Sequence, residues 1–304
     1  MDLSRPYSEG HTLKDIQGHD FKLFGLDYTE LIYVAARGKT FTMGDNNSGY
    51  ENEAETQITF DHDYFIGRFA VTQELYQKVT GQNPAYHKGN YCPVENVSWD
   101  DITNEFLPKL NKHLKETYPK LQGRFVLPSQ AQWEYAAAGG QAWNSPKLEY
   151  AGSNNLHDVG WFTDNSGDKS TSPVGLKEPN ALGLYDMSGN VWEWCQDDYK
   201  ASLADLPKNG LPTPNQKTAS KVLRGGSYFL IRIYCRIRFR LNRGPGNRSI
   251  NFGFRLVFSS VQTETNLWSV RRDDEINKSL FMISPKETSL CHAGSICHAD
   301  EGGI

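Results

Sequence analysis

The residues whose types could do chemistry are five cysteines, two Cys-His pairs and a crowded run of arginines. Cys92, Cys195, Cys235, Cys291 and Cys297 are odd in number and sparse in a chain of this length. They do not read as a disulfide framework, and free thiols in a reducing compartment are the expectation. Cys291-His292 and Cys297-His298 offer ligand types that suit zinc. Adjacent Cys-His pairs do not match the common finger spacings, so incidental placement is the plainer reading. Eight arginines, one lysine and no acid between Lys221 and Ser260 put +9 on that segment and leave −13 on the rest of the chain. A basic patch can bind phosphate, but no nucleic-acid fold signature accompanies this one, and nucleic acid is not expected as a partner. There is no Walker loop, HExxH or GxSxG.

The elements that must position these groups are short. At 304 residues the chain has room for one large domain or two. A net charge of −4 argues against a protein that is basic throughout and against an acidic disordered tail. Hydrophobic residues at 38%, with 12% aromatic, suffice for a real core. No apolar run is long enough to span a membrane, and Met1 to Gly10 shows no secretion signal. Leu31–Val34 and Lys39–Met43 read as two strands around a turn at Gly38, and strand-like alternation resumes from Ile58 to Phe65. Thr72 can cap a helix that buries Leu75, Tyr76 and Val79. Ser98 with Asp101, and Ser129 with Gln132, have capping-box spacing. Pro108 should kink or split the helix that follows the first box. Most of Gln141 to Ser220 reads as loop. Val222 to Val257 reads as two or three strands with Gly-rich connections, and Thr263 to Ile304 has no sustained period.

Six motifs occur in order: Phe41-Thr-Met-Gly44, Pro93-Val-Glu-Asn-Val-Ser-Trp99, Leu127 to Ala137, Asn180 to Trp194, Arg224-Gly-Gly-Ser227 and Gly253-Phe-Arg255. Their order and wording resemble the formylglycine-generating enzyme (sulfatase-modifying factor) family from about Tyr28 to Ser259. The resemblance implies an α+β domain with a variant C-type lectin-like fold, rich in irregular structure. It implies a division into an N-terminal segment 1–27, the domain 28–259 and a C-terminal extension 260–304. Trp99, Trp133, Trp192 and Trp194 are expected in the core, with partners for their indole N–H groups.

The same resemblance frames two metal questions. Aerobic enzymes of the family hold copper(I) with two thiolates after the Gly-Gly-Ser motif, and soft thiolates suit that ion. Aligned on Gly225-Gly226-Ser227, the second falls on Cys235 and the first on Leu230, which cannot ligate. The chain is therefore not expected to be an enzyme, with a copper oxidase of the family's type or a non-variable accessory protein of the same fold as the alternatives, and Cys235 is expected as a buried small hydrophobe. In some relatives the segment holding Asn190 and Glu193 binds calcium, whose preference for hard oxygens those side chains meet. No cofactor is expected other than a structural calcium there, with plain hydrogen bonding as the alternative.

Tyr228 to Phe252 is unusual in mixing large apolar side chains with arginines. Between Ser227 and Ser260 there is no Lys, Glu, Gln, Met or Trp. Those are the residues an Asn codon cannot reach when both its adenines are randomised. The layout resembles the variable region of a diversity-generating retroelement target protein, although about forty-five residues follow Ser259 here. The resemblance implies a ligand-binding protein whose partner is a protein, for instance on a cell or phage-host surface. The location is left open by the residues; with no secretion signal seen, a cytoplasmic or phage-particle-associated one is the expectation. The expected contacts are Phe229, Leu230, Ile231, Ile233, Tyr234, Ile237, Phe239, Leu241, Asn242, Arg243, Gly244, Gly246, Ser249, Ile250 and Asn251. As outward-facing residues they should tolerate replacement within about 0.5 kcal/mol each.

Overall fold

A computed structural model describes residues 1–144, 146–216 and 219–259. The 260–304 extension, with Cys291-His292 and Cys297-His298, lies outside the described residues.

Local signals start the helices where the sequence places them. Thr72 accepts from the Leu75 amide at 3.3 Å and opens α1 (Gln73–Thr80), which Gly81 closes at φ 84°. Ser98 and Asp101 cap each other across α2 (Trp99–Asp101). Pro108 divides the next helix: a π-helical turn, Ile102–Phe106, precedes α3 (Leu107–Thr117). Proline has no N–H to donate and its ring crowds the carbonyl four residues back; the wider turn accommodates both. Ser129 and Gln132 make the second box at the start of α4 (Gln130–Ala137). The short α5 (Leu156–Val159) starts at Asn155, which accepts from the His157 amide.

Two four-stranded sheets carry the core. The first orders β1 (Leu31–Val34), β4 (Tyr64–Gly67), β12 (Val257–Ser259) and β5 (Arg124–Val126), all antiparallel. It ties the beginning of the domain to its end, because β12 lies between β4 and β5. Residues 1–27 pack on the same body. Leu13, Phe21 and Leu23 are buried in its core, and the Leu13 amide donates to Leu31. A hairpin of β2 (Thr40–Met43) and β3 (Thr56–Thr59) adds Phe41 and Met43 to the second apolar cluster. The parallel pair of β6 (Gly160–Trp161) and β7 (Ser188–Gly189) braces the connection that follows α5.

The second sheet positions the site. Its order is β10 (Leu241–Arg243), β9 (Lys221–Arg224), β8 (Trp192–Asp198) and β11 (Phe252–Phe254). Trp99, Trp133, Trp192 and Trp194 are all buried. Three of their indoles donate to distant acceptors: Trp99 to Cys195 O at 3.1 Å, Trp133 to Glu193 Oε2 at 2.7 Å and Trp194 to Val97 O at 3.0 Å.

β9, β10 and β11 supply the three strands expected between Val222 and Val257, with glycines in the connections. Between β9 and β10 the chain holds a single 3-10 turn, Arg232–Cys235, and otherwise irregular backbone. Gly225 and Gly226 both take positive φ, 93° and 75°, and turn the chain out of the sheet. A Cβ on Gly226 would stand 2.7 Å from both Cys235 Sγ and Tyr234 O, so only glycine fits there.

Candidate functional site

The segment from Ser227 to Asn251 leaves the sheet where β9 finishes and returns to it from the same end, first as β10 and then into β11. Its ends are clamped: Asn251 Nδ2 donates to Ser227 Oγ at 3.0 Å, and the Tyr228 amide donates to Asn190 O at 2.9 Å. Inside the loop the Thr163 amide donates to Leu230 O, and the Ile237 amide to Glu149 O.

Arginines then hold the loop from within. Arg236 makes a bidentate pair with Glu53 at 3.0 Å and lies over the Tyr50 ring. Arg238 donates to Leu148 O. Arg240 reaches Gln130 Oε1, Asn52 O and Lys200 O. Burial, and the nearby Arg224, push the Arg240 guanidinium down to about 10, which leaves it charged at neutral pH. Arg224 pairs with Glu134, and Arg255 with Glu193. These five guanidinium groups are buried. The imbalance of +9 against −13 is therefore largely an internal pairing of late arginines with earlier acids. The cationic surface face suggested by the sequence is corrected accordingly: only Arg232, Arg243 and Arg248 of that run are exposed. Arg248 is itself held by Asp101 at 2.5 Å.

The expected contact residues divide by environment. Phe229, Ile231, Arg243, Gly246 and Ile250 are exposed. Leu230, Ile233, Tyr234, Phe239, Leu241, Asn242, Gly244, Ser249 and Asn251 are half-buried. Among them Phe239 packs edge-on to Tyr234 at 5.0 Å and tilted to Trp192 at 6.0 Å. Ser249 and Asn251 bond to each other at 2.7 Å. Ile237 is fully buried in the second apolar cluster and is no surface contact. Its flanking arginines need carbonyl and carboxylate partners inside, and they draw the residue between them inward.

Sequence reasoning missed a group outside this stretch. Tyr86 is 70% exposed, His87 bonds the Tyr228 hydroxyl at 2.9 Å, and Glu95 lies buried beneath them. Glu95 Oε1 accepts from the His87 amide at 2.7 Å, while Oε2 has no partner. Nothing in the run Pro93 to Trp99 beyond the presence of Glu95 marks it in the sequence. Burial raises this carboxyl to about 7; the amides of His87 and Tyr86 and the charge of Lys88 offset it only in part. A folded pKa above the unfolded one means that the stabilising contribution is complete below about 4.5 and is lost as pH rises through about 7. Glu95→Gln keeps the carbonyl acceptor and cannot ionise. It is expected to match the parent at pH 4 and to exceed it at pH 8 by on the order of 2 kcal/mol, read as a gap in melting temperature that opens with pH.

The two metal readings can be tested on donor atoms. Glu193 accepts from Arg255 through both oxygens and from Trp133. Asn190 Oδ1 accepts from the Ser172 amide, and its Nδ2 donates to Ser172 O. A guanidinium laid along the carboxylate leaves no place for a cation, so the calcium expectation at Asn190 and Glu193 is corrected to hydrogen bonding and ion pairing. Copper fits no better. Leu230 supplies no donor, and Cys235 is buried, its thiol pushed by burial up to about 12. Among the described residues no three His, Cys, Asp or Glu side chains gather as a metal site.

Residues 27–260 match the family model described as the sulfatase-modifying factor enzyme 1-like domain. The chain belongs to this family. The match falls within a residue of the 28–259 span carried by the motifs. The family's α+β, C-type lectin-like architecture is the one described above. The chaperone protein LppX of Paenibacillus barcinonensis is 37% identical over 188 residues, 48% of this chain and 66% of that protein. The formylglycine-generating enzyme of Streptomyces coelicolor is 35% identical over 183 residues, 54% of this chain and 51% of the enzyme. The chain thus spans between half and two-thirds of these relatives' lengths. Among solved structures, Treponema denticola variable protein 1 superposes with a TM-score of 0.63 at 28% identity, over 75% of this chain and 95% of that one. The family therefore includes enzymes, and this chain also resembles a variable protein. No helix among the described residues is long and apolar enough to cross a membrane.

Proposed function

We propose that this chain is a ligand-recognition protein, not an oxidase, and that its 228–252 stretch is diversified by a retroelement to bind protein ligands. The observation that carries this reading is the likeness to Treponema denticola variable protein 1 over nearly all of that protein. Two features of the chain support it. The residue types in the stretch stay within what adenine randomisation of an Asn codon can reach. Its outward residues Phe229, Ile231, Arg243 and Ile250 sit on a backbone pinned by buried arginines, so they can change without the frame changing. Binding groups act best from rigid supports, and exposed apolar and arginine side chains are those that dominate protein contacts.

The neighbouring DNA tests this. A reverse-transcriptase gene and a near-copy of the codons for Tyr228 to Phe252, differing only at adenines, are expected. Finding neither would leave a non-variable accessory protein of the same fold. The kinship with a formylglycine-generating enzyme keeps the oxidase as the competing reading, and copper(I) titration decides it. No stoichiometric tight binding is expected, because a single deeply buried thiol cannot make a two-thiolate site; a tight one-to-one complex would revive the oxidase.

A further inference from the structure

The loop from Pro84 to Lys88 stands beside the variable stretch without belonging to it. Its backbone is tied down at successive residues. Pro84 O accepts from Asn96 Nδ2 at 3.0 Å, and the Ala85 amide donates to Asn83 Oδ1 at 3.1 Å. The His87 amide donates to Glu95 at 2.7 Å, and His87 O accepts from Gln73 Nε2 at 2.6 Å. Glu95 and Gln73 are themselves fully buried. The loop is thus fixed from below while its largest side chain stands in water.

Ring contacts join that side chain to the variable stretch. Tyr86 meets His87 edge-on at 5.0 Å, His87 meets Tyr228 edge-on at 5.4 Å, and Tyr228 meets Phe229 at 6.2 Å. A ring held 70% exposed by a rigid backbone has little conformational freedom left to lose on binding. Charge defines the partner. Lys88 Nζ donates to Asn83 O, and Arg243 donates to the carbonyl of Asn242. Neither pairs with a carboxylate among the described residues. No acid lies within the stretch itself; Asp164 and Asp101 beside it are taken up by Arg232 and Arg248, which leaves Lys88 and Arg243 as exposed cations beside the apolar groups.

We propose that Tyr86 is a fixed, scaffold-borne contact of the ligand face, and that the face takes a polypeptide segment carrying apolar side chains beside carboxylates. This rests on the ligand-recognition reading above. A diversified protein gains from such a residue, since one constant aromatic anchor supports whichever side chains the variable positions carry.

A yeast-displayed random peptide library sorted on the full chain supplies the probe. Enriched clones would be titrated against the parent, Tyr86→Ala, Ile231→Ser and, as an exposed control, Ile16→Ala. Clones weakened by Ile231→Ser are expected to lose about tenfold or more in affinity on Tyr86→Ala, to be untouched by Ile16→Ala, to be rich in Asp or Glu beside apolar residues, and to weaken with added salt. If Ile231-dependent clones bind Tyr86→Ala at parental affinity, the anchor role is overturned. If they lack acidic residues, the assigned partner chemistry is overturned. If no clone depends on Ile231, the ligand-recognition reading of this face fails and takes the inference with it. Unchanged melting of Tyr86→Ala would show that a lost affinity is not lost folding.

Discussion

Arg255→Ala is expected to cost on the order of 3–5 kcal/mol and to leave little folded protein at physiological temperature. The guanidinium donates through Nε and Nη2 to both oxygens of Glu193, at 3.0 and 2.9 Å, and to the carbonyls of Gly67 and Tyr185 at 2.7 and 2.8 Å. The guanidinium and the Glu193 carboxylate are shut away from water. Removing the cation strands Glu193, whose one remaining side-chain donor among the described residues is Trp133 Nε1, and takes a donor from two carbonyls. A stranded buried charge costs more than the pair contributed, because its desolvation is no longer offset. Asp186 adds to the loss: burial already raises it to about 6, and the Arg255 charge is among the effects that keep it from rising further. Arg255→Lys keeps the charge but cannot serve four acceptors in one plane, so it should fall between alanine and parent. Denaturant unfolding measures the series; a loss below about 1 kcal/mol for alanine would contradict the account.

Ile237→Ser is expected to cost about 3–4 kcal/mol, from a lost core side chain and a hydroxyl brought in without a partner. Ile231→Ser, on a side chain 57% exposed, should stay within about 0.5 kcal/mol. The uniform tolerance anticipated for the stretch therefore gives way to a graded one. Phe239→Ser belongs between the two, since its ring is half-buried among Tyr50, Tyr234 and Trp192. Melting temperatures of the three variants provide the check. Equal shifts for Ile231 and Ile237 would mean that the arginines at 236, 238 and 240 do not set the direction of this backbone. Under the proposed diversification, exposed positions such as Ile231 would vary freely, whereas a change at Ile237 would damage the frame.

Legibility followed the range of the interactions. The helix starts at Thr72, Ser98 and Ser129 were readable because a cap and its amide lie within three residues. The break at Pro108 was readable because proline acts on its own turn, although its form, a π turn over Ile102–Phe106, was not. The Trp motifs announced a core but not their hydrogen-bond acceptors, which for Trp99 and Trp194 lie nearly a hundred residues away. The Glu95 and His87 group was not legible, since its link to Tyr228 spans 141 residues.

By itself the sequence determined the family, the order of the motifs, the place of the anomalous stretch and the missing thiol at Leu230. Those are properties of residue identity and spacing, which survive without coordinates. Tertiary structure decided which way each residue of that stretch points. Irregular backbone has no period from which facing could be read, and direction is imposed by distant partners: Glu53 on Arg236, Gln130 on Arg240, Leu148 on Arg238. The same long-range pairing decided that most of the arginines serve the fold, because a guanidinium buried beside a carboxylate must answer to it before it can answer to a ligand.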